Sequence, residues 1–326
     1  MKAIIYQHYG SYNNLQLREV DKPKPGRGEV LVKVMASSIN SWDVDMLKGN
    51  TWIIRLLNGI FKPRNIILGA DIAGIVESAG ENVTTFKIGD EVYGDIAEAH
   101  FAGFAEYVAV PEKLLAKKPA MLSFEQAAAL PQAGLLAVQG LRYHGDVKLG
   151  QNILINGAGG GVGTLGLQYA KSIGAIVTCV DRKEKLDFLR TLSADHVIDF
   201  TTTDYTRTGV QYDKILDVIA HRSTADYIRA LKVDGVFAMI GGSMGGLLFR
   251  MMAIEPLRSK YRSKKLGIMA YKTGTKELDE LTRLVAGGKM TPIIDSVYPL
   301  TDTSEAFRHF MSGMFQGKIV IQVAKR

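Results

Sequence analysis

The segment Asn152 to Lys171, NILINGAGGGVGTLGLQYAK, constrains the chain more than any other. A short apolar run of strand length enters a glycine loop, and an apolar helical pattern leaves it. Within the loop, Ala158-x-Gly160-x-x-Gly163 sets the spacing. Residues with little or no side chain let the backbone N–H groups of Gly157, Gly159, Gly160, Gly161 and Val162 approach a pyrophosphate. The helix that follows adds partial positive charge, and Gly163 lets it lie close to the strand. A ligand-free glycine turn would not require this strand before it, this helix after it and the βαβ continuation beyond.

That continuation is regular. NILIN, AIVTCV, HVIDF, KILDVIA and VFAMIGG are β-rich runs, separated by helical patterns around Leu165–Ile173, Lys185–Leu192 and Thr224–Leu231. Short connections between alternating strands and helices predict a doubly wound parallel sheet with helices on both faces, an α/β fold. The chain before it reads differently. KAIIY, LQLREV, EVLVKVMASSIN, IILGADIAGIVESAG and FAEYVAV are strand-like runs, with turns at Gly89–Asp90 and Gly94–Asp95, and predict a compact, mostly β domain. Ser123 and Gln126 have capping-box spacing ahead of an Ala-rich helical run, which Pro131 should kink or offset. After about residue 270, helices over Lys276–Ala286 and Ser304–Met311 precede a last strand, KIVIQV. The boundaries expected are residues 1–122, 123–270 and 271–326.

Composition narrows the class. A length of 326 residues suggests about two domains. With 47% hydrophobic and 22% charged residues, disorder and fibrous folds are excluded. A net charge of +7 favours anionic partners, but the basic residues are spread along the chain without an aromatic-interleaved cluster, so no nucleic-acid partner is expected. The single cysteine, Cys179, excludes an internal disulfide and any cysteine-clustered zinc site and fits a reducing compartment. The N-terminus has no signal-peptide pattern. The longest uncharged stretch, Leu149 to Ala170, holds seven glycines and makes a poor membrane span. A cytoplasmic protein without integral membrane association is expected.

Coenzyme choice is divided in the sequence. Asp181 ends the second strand of the βαβ pattern 18 residues beyond Gly163, where an acid accepts the adenosine ribose hydroxyls and favours NAD. Arg182, Lys183 and Lys185 follow at once and suit a 2′-phosphate. Cations at a helix start oppose the macrodipole, so helix propensity does not explain them. The balance leans to NADPH, with NADH the alternative.

Several ordered blocks carry a resemblance: MKAIIYQHYG, GEVLVKVMASSINSWD, GADIAGIVESAGENVTTFKIGDEVYG and the AGGGVG loop resemble the medium-chain dehydrogenase/reductase superfamily. SSINSWD, SADHVIDF and GKIVI are most similar to its zinc-free quinone oxidoreductase branch. The resemblance implies a GroES-like catalytic domain formed by both chain ends around a central Rossmann domain, with the active site in the cleft between them. It also implies a homodimer joined along the Rossmann sheet edge, where a strand such as VFAMI would pair if exposed. Zinc-dependent relatives carry a cysteine where this chain has Asn40 and a histidine where it has Ala70; neither is a usual zinc ligand, so no metal is expected.

By the same resemblance Asn40 faces the nicotinamide. Asp43 is kept acidic, either for catalysis or for a helix-start hydrogen bond. Leu136 stands where relatives have a threonine near the nicotinamide phosphate, and Gln132 is a substitute for it or polar surface. Phe200 stands beside the adenine. Val218, Ile219, Ile240, Gly241 and Gly242 lie at carboxyl edges of strands where nucleotides bind, and Lys318 reaches the cofactor from the returning segment. Phe200 and Ile219 have a plain alternative as core residues.

Without a Lewis acid, hydride delivery suits an already electron-poor, small hydrophobic electrophile, a quinone or an α,β-unsaturated carbonyl. The alternatives are a zinc-free alcohol or carbonyl dehydrogenase and, in another class, a crystallin-like nucleotide- or RNA-binding protein. MLKGNTWIIRLLNGIFKPRN is expected to shape the substrate site. The segment 243–265 reads as an oligomer contact or core helix, or as a membrane-surface helix.

Overall fold

The strand–helix alternation from Asn152 onward builds a six-stranded sheet in the computed structural model, which describes residues 1–242, 247, 251, 255 and 263–325. The chain divides into two units. One comprises Met1–Ala133, Lys272–Gly287 and Pro292–Arg326; the other comprises Gly134–Tyr271 and Gly288–Thr291.

The first unit begins with the antiparallel pair β1 (Lys2–Ile5) and β2 (Gln16–Glu19). Then come β3 (Glu29–Ser38), α1 (Ser41–Lys48), α2 (Trp52–Asn58), β4 (Asp71–Ala79), β5 (Glu91–Asp95), β6 (Tyr107–Pro111), β7 (Ala116–Lys117) and α3 (Phe124–Ala128). The second unit holds most of α4 (Pro131–Arg142), then β8 (Asn152–Asn156), α5 (Gly161–Ser172), β9 (Ile176–Asp181), α6 (Lys183–Thr191) and β10 (His196–Asp199). It continues through β11 (Tyr212–Asp217), α7 (Thr224–Ala230), β12 (Leu231–Met239) and β13 (Lys265–Ile268). The chain then returns to the first unit with α8 (Thr275–Ala286), β14 (Ile294–Pro299), α9 (Thr303–Ser312) and β15 (Lys318–Gln322).

In the second unit the parallel order is β10-β9-β8-β11-β12-β13. Ile153, Leu154 and Ile155 of β8 are wholly buried, the continuous apolar run expected of a central strand covered on both faces. Strand order reverses beside β8, so the loop leaving its carboxyl end lies at the switch point where such sheets bind nucleotides.

In the first unit the order is β14-β15-β3-β4-β5-β7, with β6 paired to β3. Ser38 faces Val320 on one side and Asp71 on the other, both in antiparallel register. This register brings the carboxyl end of β3, the start of β4 and the start of the returning β15 to one end of one sheet. Val30, Val32, Val34, Ile72, Val92 and Val108 form the core beneath it.

Three expectations are corrected. The first boundary lies at Ala133/Gly134 rather than 122/123, because α3 packs on β3 and β4. Residues Gly288–Thr291 join the second unit, where Thr291 exchanges hydrogen bonds with the Gln168 side chain. VFAMI belongs to β12, which is paired on both sides; β13 is the outer strand. Pro131 splits the Ala-rich run and opens α4, where its missing N–H costs nothing. Most of the segment 243–265 lies outside the described residues, so its oligomer and membrane readings find no structural counterpart.

Candidate functional site

Two groups of residues stand out, one in each unit. In the first unit Asn40 occupies the N-cap position of α1, yet its side chain does not cap the helix. Its Nδ2 donates to Asp71 Oδ2 at 3.0 Å, and its Oδ1 accepts from Lys318 Nζ at 2.5 Å. Lys318 also donates to the Ile39 carbonyl at 3.0 Å and lies 3.6 Å from Asp71 Oδ2. Asp71 further accepts from Ser38 Oγ at 3.2 Å and from the Gln132 backbone N–H at 3.0 Å. All of Asn40, Asp71 and Lys318 are buried. Burial pushes the Asp71 carboxyl up, opposed by the Lys318 ammonium, and pushes Lys318 down, opposed by Asp71. A charge pair inside a domain persists only when its remaining donors and acceptors are satisfied, and here they are.

Asp43, also fully buried, accepts from the Asn40 N–H at 2.9 Å and from the Gly69 N–H at 2.8 Å. Both carboxylate oxygens are thus committed to backbone groups that set the start of α1 and the approach to β4. Burial lifts its pKa to about 7, against those two N–H groups. Because the folded value is raised, the stability tied to the neutral acid is whole below its ordinary value of 3.8 and is lost as pH rises through about 7. Relative to Asp43→Asn, wild-type protein is expected to lose up to about 4 kcal/mol between those limits. Urea midpoints across that range check this; a pH-independent difference would contradict it.

Gln132 places its side-chain amide 3.4 Å from Asp95 Oδ2, and Asp95 is buried next to Asp71 in the sheet register. Gln132, Asn40, Asp43 and Lys318 therefore gather around Asp71. The sequence reading passed over Asp71 although it stood inside GADIAG. The available signal was a lone acid at a strand start and a lone lysine in GKIVI, since buried charges need partners. Lys318, expected to reach the cofactor, directs its ammonium to Ile39, Asn40 and Asp71.

The residues at Asn40 and Ala70 offer zinc no free donor. Asn40 has its oxygen and one N–H already bonded, and Ala70 offers only a buried methyl. These residues do not fit a catalytic zinc ion.

In the second unit the loop after β8 carries the other group. Gly157 has φ +78°, a conformation that disfavours any side chain. Its N–H and that of Ala158 bond the Val180 carbonyl at 3.0 and 3.2 Å. Gly160 caps α5, leaving the N–H groups of Gly161, Val162 and Gly163 without intrahelical acceptors and open to an anion. A Cβ on Gly163 would lie 2.4 Å from Ala158 Cα. On Gly159 it would lie 2.6 Å from Lys185 Cδ and 3.0 Å from Asp181 Oδ2. The loop thus packs too closely for side chains at Gly159 and Gly163, and the open N–H groups at the start of α5 fit a dinucleotide pyrophosphate.

Asp181 is itself held by the loop. Its Oδ2 accepts from the Gly159 N–H at 2.7 Å and its Oδ1 from the Arg182 N–H at 2.8 Å. The buried Lys185 ammonium lies 3.9 Å away, whereas Arg182 is exposed. At the neighbouring strand ends, Val218 donates its N–H to the Asn156 carbonyl at 3.0 Å, and Ile240 to the Asp217 carbonyl at 2.9 Å. Gly241 and Gly242 press against the Val218 and Ala220 backbones. Ile219 is 45% exposed, which removes its reading as a core residue. Phe200 is half-buried against the core of this unit, and Leu136 is half-buried on α4, apart from the loop group.

Comparison with known proteins follows these features. An alcohol dehydrogenase GroES-like domain family matches residues 26–120, and a zinc-binding dehydrogenase family matches residues 192–321. The second match contains neither Asn40 nor Ala70 and has no bearing on the donor set. The chain is 32% identical to the 2-methylene-furan-3-one reductase of Solanum lycopersicum, over 98% of this chain and 79% of that protein. It is 30% identical, over the same shares, to the chloroplastic NADPH-dependent alkenal/one oxidoreductase of Arabidopsis thaliana. The solved quinone oxidoreductase from Coxiella burnetii superposes with a TM-score of 0.88 at 30% identity, covering 99% of each chain. With both domain types matched and the relatives covering nearly the whole chain, the chain belongs to the medium-chain dehydrogenase/reductase superfamily, in its quinone oxidoreductase-like branch.

Proposed function

We propose that the chain is a zinc-independent oxidoreductase that uses NADPH to reduce a quinone or an α,β-unsaturated carbonyl. The observation that carries this reading is Asn40: an amide locked between Lys318 and Asp71 stands where zinc relatives have a thiolate. An amide can orient an oxygen and donate one hydrogen bond, but it cannot polarise a simple carbonyl as a metal does. Electron-poor acceptors need the least help, and the relatives named as alkenal/one oxidoreductase and quinone oxidoreductase agree. The alcohol dehydrogenase reading is correspondingly disfavoured.

When bound, the nicotinamide supplies the hydride. The chain's residues do the rest. The N–H groups of Gly161, Val162 and Gly163 hold the pyrophosphate, and the exposed Ile219 offers an apolar contact. Asn40 keeps one Nδ2–H outside its bonds for the substrate oxygen, and Lys318 and Asp71 act as positioning residues for it. Water delivers the second proton.

Two features support NADPH over NADH. Asp181 already accepts two backbone N–H groups beside the Lys185 ammonium, which weakens it as a ribose acceptor. Arg182 is exposed at the strand end, suited to a 2′-phosphate. Domain roles follow the two units, and a cytoplasmic setting and a homodimer along β13 complete the reading; light scattering checks the dimer.

The decisive experiment follows nicotinamide absorbance with NADPH and NADH in parallel, using a short quinone and an enone. NADPH oxidation is expected with at least one acceptor, faster than NADH by about tenfold or more, and unchanged after exhaustive treatment with a strong chelator. Loss of activity on chelation would refute the zinc-independent reading.

A further inference from the structure

The segment from Thr51 to Arg64 is built with its polarity reversed. Two of its polar side chains, Asn58 and Arg55, are engaged by the fold. Asn58, fully buried, donates from Nδ2 to the Tyr6 hydroxyl at 2.8 Å and accepts at Oδ1 from the Asn65 N–H at 3.0 Å. Arg55 donates to the Gly49 carbonyl at 2.8 Å and the Ile60 carbonyl at 3.0 Å, with its guanidinium 4.9 Å from the Tyr9 ring. The Tyr9 hydroxyl donates to the Gly59 carbonyl at 2.7 Å. Gly59, at φ +112°, ends α2 and turns the chain outward again.

Ile54 anchors the segment in the core, but most of its other large apolar side chains face out. Phe61 is 93% exposed and Trp52 74%, and Leu56, Leu57 and Ile60 are each more than half exposed. A fold that buries an asparagine and presents a phenylalanine and a tryptophan side by side with leucines is holding an apolar surface for a partner. The sequence reading gave this segment to the substrate site; its exposure calls for something external to the chain.

Charge identifies the partner. No acidic residue occurs between Asp45 and Asp71, while Lys48, Arg55, Lys62 and Arg64 do, and Lys62 and Arg64 are exposed immediately beyond Phe61. A second copy docking through the same face would set Lys62 and Arg64 against their own counterparts with no acid in the segment to answer them. Aromatic and leucine side chains beside basic ones match the headgroup boundary of a membrane carrying negative lipids. We propose that the outward face of residues 52–64 docks peripherally on an anionic lipid bilayer. Insertion is shallow: no helix among the described residues is long and apolar enough to cross a membrane. The proposal is independent of coenzyme and substrate.

Flotation with phosphatidylcholine vesicles, with and without phosphatidylserine, tests it. Full-length protein is expected to float with the phosphatidylserine vesicles, weakly with phosphatidylcholine alone, and less as salt rises. The pairs Trp52→Ser/Phe61→Ser and Lys62→Glu/Arg64→Glu are each expected to lower the partition coefficient about tenfold or more. Both should keep the wild-type melting temperature, since they alter exposed side chains. Should either pair fail to fold, phosphatidylserine with brominated acyl chains is used on the wild type, where Trp52 fluorescence is expected to be quenched. Absence of wild-type binding, binding unaffected by both pairs, no quenching, or self-association through this face without vesicle binding would each overturn the proposal.

Discussion

Replacing Lys318 by methionine is expected to destabilise the first unit by about 3–5 kcal/mol. The substitution keeps the volume of the stem but leaves Asp71, fully buried, without its ammonium. It also strips Asn40 Oδ1 of its donor. Pairing it with Asp71→Asn removes the uncompensated charge and should recover a large part of the loss, as double-mutant cycles of buried pairs do. The measurement is direct, because both tryptophans, Trp42 and Trp52, lie in the first unit. Urea unfolding followed by tryptophan fluorescence therefore reports the unit that holds the pair. If Lys318→Met left the midpoint within experimental scatter, the cluster would not be the closed charge network described above. Catalysis supplies a second readout. Lys318→Met with Asp71→Asn should lower kcat more than it raises KM, because the amide it loosens acts in positioning, while cofactor affinity should stay near wild type.

The second large effect belongs to the glycine loop. Gly163→Ala is expected to weaken NADPH binding by about 100-fold or more, measured by fluorescence titration. Its Cβ would stand 2.4 Å from Ala158 Cα and 2.5 Å from the carbonyl oxygens of Gly157 and Ala158, all backbone atoms that cannot swing aside. The start of α5 must then withdraw from the loop, and the N–H groups proposed to receive the pyrophosphate withdraw with it. Gly166→Ala, one turn along the same helix, supplies the control. There the nearest neighbours are the Leu216 and Ile155 side chains at 3.3 and 3.5 Å, which can give by a few tenths of an ångström. Near-wild-type affinity is expected for it. Equal losses in both variants would mean that helix packing in general, and not the loop, sets cofactor affinity.

Local pattern carried most of the fold. The five β-rich runs and the helices between them were legible because period and turn chemistry agree with the final sheet, down to the apolar run of β8. The boundary at Ala133 was not legible, since it falls inside α4, beyond the Pro131 break, and α3 joins the first unit only through its packing on β3 and β4. VFAMI read as an edge strand because nothing local in the sequence marks which strands are paired on both sides. The site was legible where backbone requirements are written as glycines, and obscure where it depends on register. Asp71 and Lys318 are unremarkable alone; their meeting is set by Ser38 facing both Asp71 and Val320. Long-range register also turned Lys318 toward Asn40. Likewise Asp181 looked like an open ribose acceptor, and only the structure shows the Gly159 N–H already occupying it.

The placement of β15 beside β3 also fixes an order of events in the life of the chain. Lys318 and Ile39, which share a hydrogen bond, are 279 residues apart in sequence. During synthesis the amide before α1 and the acid of β4 leave the ribosome before the whole of the second unit, and the strand that neutralises them follows it. The central unit, whose sheet is complete by β13, can fold in the interval. Until β15 arrives, the carboxyl end of β3, beyond its pairing with β6, presents an unpaired edge, and the Asp71 carboxylate beside it lacks its ammonium. The first unit is therefore the part of the newborn protein most exposed to misassembly, because its charge pair closes only across strands far apart in sequence.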